Sequence, residues 1–237
     1  MSAETVVVTG AAGGLGRAIC RRLGLAGHRV VAVDISDSLA DAVVALESDG
    51  IEAVPVQVDL TDDMGITAVV HATGKPVHAL VNNAGVTRDA RLVNMTDDQF
   101  ETVLQVNLGA AYRLTRAIAP HLGEGSSIVN IASRAYLGNF GQFNYSMSKG
   151  ALIGMTRALA IELAPSSTVN AVAPGLIATE MSLAIPEEIR EKMVENIPMG
   201  RMGEPAEVAD LVAFLIGTGS SYITGHVHVI GGGRSLT

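Results

Sequence analysis

The chain has no tryptophan, a single cysteine and an aromatic content of only 3%, and its 16 basic residues are outnumbered by 24 acidic ones. Each shortage excludes a class of protein. Cys20 cannot form an internal disulfide, and its spacing from Leu15, Ile19 and Leu23 sets it on the apolar face of an amphipathic helix, so a packed side chain is expected there, not a nucleophile. A net charge of −8 without a basic cluster excludes a nucleic-acid partner, which needs a concentrated positive footprint. No apolar run reaches the length of a membrane span, and residues 1–4 lead into a strand without a signal-peptide region, so a cytoplasmic protein with no membrane partner is expected. Of six histidines only His226 and His228 are close in sequence, with no third ligand nearby, so no metal site is expected.

What remains is aliphatic. Valine, alanine, leucine and isoleucine supply most of a hydrophobic content of 48%, as in a parallel sheet buried on both faces. The 237 residues suit one α/β domain, 1–237. Apolar runs at 5–9, 29–34, 53–58, 77–81, 127–133, 168–173 and 226–230 read as strands, with helical patterns between them. Regular alternation with right-handed crossovers predicts a doubly wound Rossmann-type α/β fold with helices on both faces of a parallel sheet. The stretch 96–119 is expected as one helix in which Asn107 interrupts an apolar surface, either to make a structural hydrogen bond or to face a cleft. The apolar, methionine-containing segment 176–199 is expected to form a substrate lid.

The first strand turns through Gly10-Ala11-Ala12-Gly13-Gly14-Leu15-Gly16 into a helix. Glycines at 10, 14 and 16 let the backbone turn tightly and approach a pyrophosphate, while the helix N-terminus offers free N–H groups and a positive dipole end. Asp34 closes the next strand 18 residues after Gly16 and 24 after Gly10. That brackets the spacing of about 20 at which a carboxylate meets the adenosine ribose. It would accept hydrogen bonds from both ribose hydroxyls and repel a 2′-phosphate, and neither Gly13 nor Ile35 is basic, so NAD is expected over NADP.

Tyr145 and Lys149 stand four apart at the start of a helix and so share one face. A nearby ammonium favours the phenolate and makes the tyrosine a tunable acid/base. Ser133, at the carboxyl end of the preceding strand, where open parallel sheets hold their ligands, can hydrogen-bond a substrate oxygen.

Thr9-Gly10-x-x-x-Gly14-x-Gly16, Asn82-Asn83-Ala84-Gly85, Asn107, Ser133, Tyr145-x-x-x-Lys149 and Pro174-Gly175-Leu176-Ile177-Ala178-Thr179 follow in an order that resembles the short-chain dehydrogenase/reductase family over nearly the whole chain. Gly200-Arg201-Met202-Gly203-Glu204-Pro205 and Ile223-Thr224-Gly225 are similar to its 3-oxoacyl-carrier-protein reductase branch. The resemblance implies a seven-stranded sheet and a homotetramer. It implies that Tyr145 exchanges the proton on the substrate oxygen, Ser133 polarises the carbonyl, Lys149 lowers the tyrosine pKa and holds the nicotinamide ribose, and Asn107 anchors a water in a proton relay. Gly10, Gly14, Leu15 and Gly16 would line the pyrophosphate, Asp34 the adenosine ribose, Asp59 and Leu60 the adenine. Asn83, Ala84 and Gly85 would flank the cofactor, as would Tyr145, Pro174 and Gly175, with Ile177 and Thr179 at its carboxamide.

The chain departs from that branch in several places. Gly13 stands where a basic residue usually precedes the second glycine, and Gly125-Ser126-Ser127 and Ser166-Ser167 replace basic residues expected at the entrance for an acidic carrier protein. The helix between Asp59 and Val77 is about a turn short, and Ile230 stands where an aspartate is common. The expected function is NAD(H)-dependent interconversion of a secondary alcohol and a ketone, on a 3-oxoacyl thioester or on small cyclic, aliphatic or steroid-like alcohols. The apolar lid residues Met181, Leu183, Ile185, Ile189 and Met193 favour an apolar substrate. A non-catalytic NAD-binding sensor is the rival from another class.

Overall fold

Every apolar strand of the sequence enters the same parallel sheet, because each crossover carries a helix that returns the chain to the starting edge. The computed structural model describes residues 3–74 and 76–236. Along the chain lie β1 (Thr5–Thr9), α1 (Gly14–Leu25), β2 (Arg29–Asp34), α2 (Leu39–Ser48), β3 (Ala53–Gln57), α3 (Asp63–Thr73) and β4 (Val77–Asn82). Then come α4 (Asp97–Leu104), α5 (Ala111–Ile118), β5 (Leu122–Ile131), α6 (Phe143–Glu162) and β6 (Ser167–Pro174). The small helices α7 (Glu180–Leu183) and α8 (Glu187–Glu195) precede α9 (Pro205–Ile216) and β7 (Val227–Ile230). The seven strands are ordered β3-β2-β1-β4-β5-β6-β7, all parallel. The order reverses between β1 and β4, and at their carboxyl ends this opens the crevice in which such sheets bind ligands.

Side chains alternate across the sheet and build two cores. Val6 and Val8 pack on one face with Ile19 and Leu23 of α1 and Val212 and Leu215 of α9. Val7 packs on the other with Leu80, Val69 of α3, Leu114 and Ile118 of α5, and Ile128. Fully burying each such side chain contributes about 1.5–3 kcal/mol. Cys20 belongs to the first core, and burial pushes its thiol up to about 12, as befits a packing residue.

Three expectations change in detail. β5 starts at Leu122 and ends at Ile131, so Ser133 lies just beyond the strand. The last strand begins at Val227. The stretch 96–119 is not a uniform α-helix: a π-helical segment, Gln105–Ala110, separates α4 from α5, and Asn107 sits within it. Such one-turn bulges rotate the following side chains and gather at functional sites.

Candidate active site

The glycine turn closes on itself at the crevice. Gly10 adopts φ +65°, a left-handed conformation that glycine enters without strain, and a Cβ there would stand 2.8 Å from Asn83 Nδ2. A Cβ on Gly16 would collide with the Gly10 carbonyl oxygen, so α1 crosses the turn closely only because residue 16 has no side chain. Below it, Thr9 Oγ1 accepts from the N–H groups of Asn83 (2.9 Å) and Ala84 (3.0 Å), and Asn83 Nδ2 donates to the Thr9 and Gly10 carbonyls at 2.9 and 3.2 Å. These bonds lock the end of β4 to the turn after β1.

Asp34 is tied to the same turn. Its Oδ2 accepts from Ala12 N at 2.9 Å and its Oδ1 from Ser36 N at 3.0 Å, which leaves lone pairs on both oxygens. Arg17 lies close by: its Nε donates to the Ala12 carbonyl at 2.6 Å. The sequence reading, which looked only at Gly13 and Ile35 for basic neighbours, missed this guanidinium. Its position one helical turn beyond Gly13 is the signal that could have found it. At the crevice edge Asp59 Oδ1 accepts from Thr61 N and Oγ1, both at 2.7 Å, and Leu60 is buried next to it.

The chemical centre rests on α6. Asn144, fully buried, donates to the carbonyls of Arg88 (3.0 Å) and Gln99 (3.1 Å), while its Oδ1 accepts from Tyr145 N (2.8 Å), fixing the first turn of the helix. The Ser133 side chain neighbours the Tyr145 phenol and favours its ionised form, and Ser133 Oγ accepts from Ala135 N at 3.1 Å. Lys149 is buried with its Nζ donating to the Ile131 carbonyl at 2.8 Å, 5.7 Å from the centre of the Tyr145 ring. A Cβ on Gly85 would lie 3.3 Å from Nζ and 3.2 Å from Asn107 Oδ1, so glycine at 85 leaves room for both groups.

The phenol of Tyr145 is raised above its ordinary range: burial outweighs the opposing effect of Ser133, and Asp89 adds to the rise. The ammonium of Lys149 is itself pushed down to about 8 by burial. The Asn107 amide is committed to protein partners: Oδ1 accepts from Val86 N (2.7 Å), and Nδ2 reaches the Val86 carbonyl and Ser148 Oγ, both at 3.0 Å. Asn107 therefore pins the loop after β4 to the catalytic helix.

The segment after β6 forms the opposite wall. Gly175 N bonds the Ile230 carbonyl, and a Cβ there would stand 2.8 Å from Gly231 Cα. Ile177 is buried and bridges to Gly203, and the Thr179 side chain comes within 3.7 Å of the position a Gly14 Cβ would take. The glycine turn and the start of the 176–199 segment thus face each other. That segment, expected as a lid, holds α7 and α8, with Met181, Leu183 and Ile189 exposed. An open groove of about 780 Å³ runs along α6 past Ser146 and Met147, lined by Leu92, Val93, Leu137 and Phe140. Gly125-Ser126-Ser127 and Ser167, expected to mark the entrance, lie instead at the amino-end half of β5 and β6, away from Tyr145, with the Ser126 and Ser167 hydroxyls bonded to each other at 2.7 Å.

A family model described as enoyl-(acyl carrier protein) reductase matches residues 10–235. The chain belongs to the short-chain dehydrogenase/reductase family. It is 40% identical to a 3-oxoacyl-[acyl-carrier-protein] reductase of Thermotoga maritima, covering 98% of each chain, and 39% identical to an acetoacetyl-CoA reductase of Acinetobacter, covering 97% of each. Among solved structures, a single-substitution variant of actinorhodin polyketide ketoreductase with NADPH superimposes with a TM-score of 0.94 at 34% identity, over 99% of this chain and 98% of that one.

For this short-chain dehydrogenase/reductase the crevice fits a nicotinamide dinucleotide on its own geometry. Gly10 and Gly16 let the turn close tightly against Asn83 and α1, which brings the free N–H groups at the start of α1 to the crevice, and Asp34 is tied to the same turn with lone pairs to offer. A Gly16→Ala variant is expected to displace the turn, lose about 1–3 kcal/mol of stability in denaturant titration and lose cofactor fluorescence enhancement. Wild-type-like binding by that variant would show that the close crossing is dispensable. Other contributors escaped sequence reasoning. Asn82 Nδ2 donates to Asn130 Oδ1 (2.8 Å) and Thr115 Oγ1 (3.0 Å), and Asn130 Nδ2 to Thr156 Oγ1 (2.9 Å), a buried polar ladder joining β4, β5, α5 and α6. Polar residues inside apolar runs were its only signal.

Proposed function

We propose that the chain is an NAD(H)-dependent oxidoreductase that interconverts a secondary alcohol and a ketone, with 3-oxoacyl thioesters as substrates. One observation carries this reading: Tyr145 and Ser133 are neighbours at the carboxyl end of the sheet, with the buried Lys149 Nζ 5.7 Å from the centre of the Tyr145 ring and an apolar groove running along the same helix. A carbonyl oxygen placed between the two hydroxyls can accept from both. A bound nicotinamide supplies the hydride for reduction and accepts it for oxidation. Tyr145, with its raised pKa, stays a neutral acid through the physiological range and delivers its proton to the developing alkoxide. Ser133 steadies the charge as it grows on that oxygen. Lys149 keeps two N–H donors beyond its bond to Ile131, which can reach a ribose hydroxyl and restore the tyrosine proton.

Asp34 and, nearby, Asp37 favour a ribose with free hydroxyls, because carboxylates repel a 2′-phosphate. Arg17 supports a second reading, NADP(H), since its guanidinium lies beside the same turn. The substrate reading is supported by the relatives named for 3-oxoacyl and acetoacetyl thioesters and by the groove, where Leu92, Val93, Leu137 and Phe140 suit an acyl chain. Small apolar alcohols remain the alternative that fits the same lining. A non-catalytic sensor gains nothing from a buried lysine, which destabilises the fold. A homotetramer fits an α6 whose Gly154 faces open space and whose Ile161 is exposed.

The test is fluorescence titration with NADH and NADPH on wild type, Asp34→Ala and Arg17→Ala, followed by turnover of acetoacetyl-CoA, a carrier-linked 3-oxoacyl thioester and a panel of alcohols. Asp34→Ala is expected to weaken NADH binding at least about tenfold, the loss of one or two charge-assisted hydrogen bonds. Tighter NADPH than NADH in wild type, lost in Arg17→Ala, would reverse the cofactor assignment. Absence of turnover on every substrate with either cofactor would overturn the catalytic reading.

A further inference from the structure

At the end of the sheet away from Tyr145, three neighbouring strands each bring one metal-ligating side chain to their amino ends. Glu4 precedes β1, His28 precedes β2 and His78 is the second residue of β4. Thr5 pairs with both Arg29 and Val77, and this register gathers the three residues. Glu4 Oε2 lies 3.5 Å from His78 Nδ1 and 3.7 Å from His28 Nδ1, and all three atoms fall within 4.8 Å of one another. The two imidazoles stack with centroids 5.2 Å apart and planes 15° from parallel.

The hydrogen bonding around the rings sets which nitrogens are available. His78 Nε2 lies 3.1 Å from the Ile216 carbonyl, which can only accept, so Nε2 carries the proton of the neutral ring and the lone pair is on Nδ1, towards Glu4. His28 Nδ1 is buried and has no hydrogen-bond partner among the described residues. Arg29, the adjacent guanidinium, is turned elsewhere: it donates to the Thr73 and Ala72 carbonyls and pairs with Glu52. Two imidazole nitrogens and a carboxylate oxygen therefore lie within 4.8 Å of one another, and a shared ion needs the stacked rings to turn towards each other.

We propose that Glu4, His28 and His78 bind one divalent transition-metal cation of the zinc type per chain, which staples the amino ends of three adjacent strands. Tetrahedral bonds of about 2.0–2.2 Å place ligand atoms roughly 3.3 Å apart, so the 3.5 and 3.7 Å from Glu4 need to close by a few tenths of an ångström and the two imidazole nitrogens, within 4.8 Å of each other, must also draw together. The bond from His78 to the Ile216 carbonyl is the outer contact that orients a ligating imidazole. Glu4 is largely exposed, so water completes the coordination. The ion stands at the opposite end of the strands from the substrate and acts on stability, not on turnover. Sequence proximity singled out His226 and His228; tertiary structure instead joins His28 to His78.

Titration of the full chain with Co²⁺, read by visible absorption and reversed by Zn²⁺, tests this directly. Saturation at one equivalent is expected, with a rise in Tm of about 5–10 °C at Zn²⁺ concentrations a hundredfold above Kd. Glu4→Gln, a change at an exposed side chain that does not threaten folding, and His78→Gln should each weaken binding at least about tenfold while leaving cofactor-dependent turnover unchanged. His226→Gln should bind as wild type. The proposal is overturned by the lack of a stoichiometric signal up to 100-fold excess Co²⁺, by binding that survives both site variants, or by binding lost in His226→Gln. A proton shared between Glu4 and the imidazoles would produce the first of those results.

Discussion

A Tyr145→Phe variant is expected to lose about three orders of magnitude in kcat while binding cofactor as tightly as wild type, the size of effect that a positioned general acid contributes. The phenol ring fills the same space in both forms, so packing around α6 is preserved. Only the proton donor is removed. Burial raises the Tyr145 pKa, so its acid form persists through neutral pH, and ketone reduction should stay level there until the groups behind it titrate. Lys149, pushed down to about 8, is the first of these, so the reduction rate should fall as pH rises past 8. Stopped-flow turnover with the preferred cofactor checks both statements. A Tyr145→Phe enzyme within tenfold of wild type would remove the tyrosine from the chemistry.

Lys149→Met is expected to abolish turnover and at the same time to make the protein more stable at neutral pH. The lysine is fully buried, and burial lowers its pKa from 10.5 to about 8. Between those two values the unfolded chain binds more protons than the folded one, so the wild-type stability rises with pH across that window; below it the penalty for burying the ammonium is present in full. A shift of that size corresponds to about 3 kcal/mol. Loss of the bond from Nζ to the Ile131 carbonyl gives back about 1 kcal/mol, leaving a net gain of roughly 1–3 kcal/mol. Thermal melts should show a Tm several degrees higher for the variant at pH 7, about 2–4 °C per kcal/mol for a chain of this size, with the gap narrowing as pH approaches 10. A variant that melts lower at pH 7 and follows the wild-type pH dependence would contradict this account. A residue that weakens the fold while standing behind the reactive phenol is retained for its chemistry.

The order of strands and helices, the phosphate turn and the Tyr145-Lys149 pair were legible because each is local. Period-two and period-3.6 patterns mark which face is buried, glycines mark where the backbone must turn or be crossed, and residues four apart on a helix share a face regardless of what surrounds them. Gly10 and Gly16 lie in the turn between β1 and α1, and Asp34 closes β2 and is bonded to that turn through Ala12 N. The π-helical segment around Asn107 was hidden, since its cause is the demand of Val86 and Ser148 for hydrogen bonds, and those partners arrive from other elements.

Charge states were equally out of reach. The expectation that Lys149 lowers the Tyr145 pKa treats two groups in a helix exposed to water; in the folded chain Lys149 is buried and Tyr145 partly so, desolvation dominates, and the shifts run towards the neutral forms of each. The convergence of Glu4, His28 and His78 likewise depends on the register of β1 with β2 and β4, which no local pattern encodes. The sequence by itself determined the fold class, the glycine turn into α1 and the shared helix face of Tyr145 and Lys149, because short-range geometry suffices for these. Only tertiary structure decided the protonation balance of that pair, the positioning role of Asn107 and the clustering of the histidines, because each depends on burial and on contacts between residues distant in the chain.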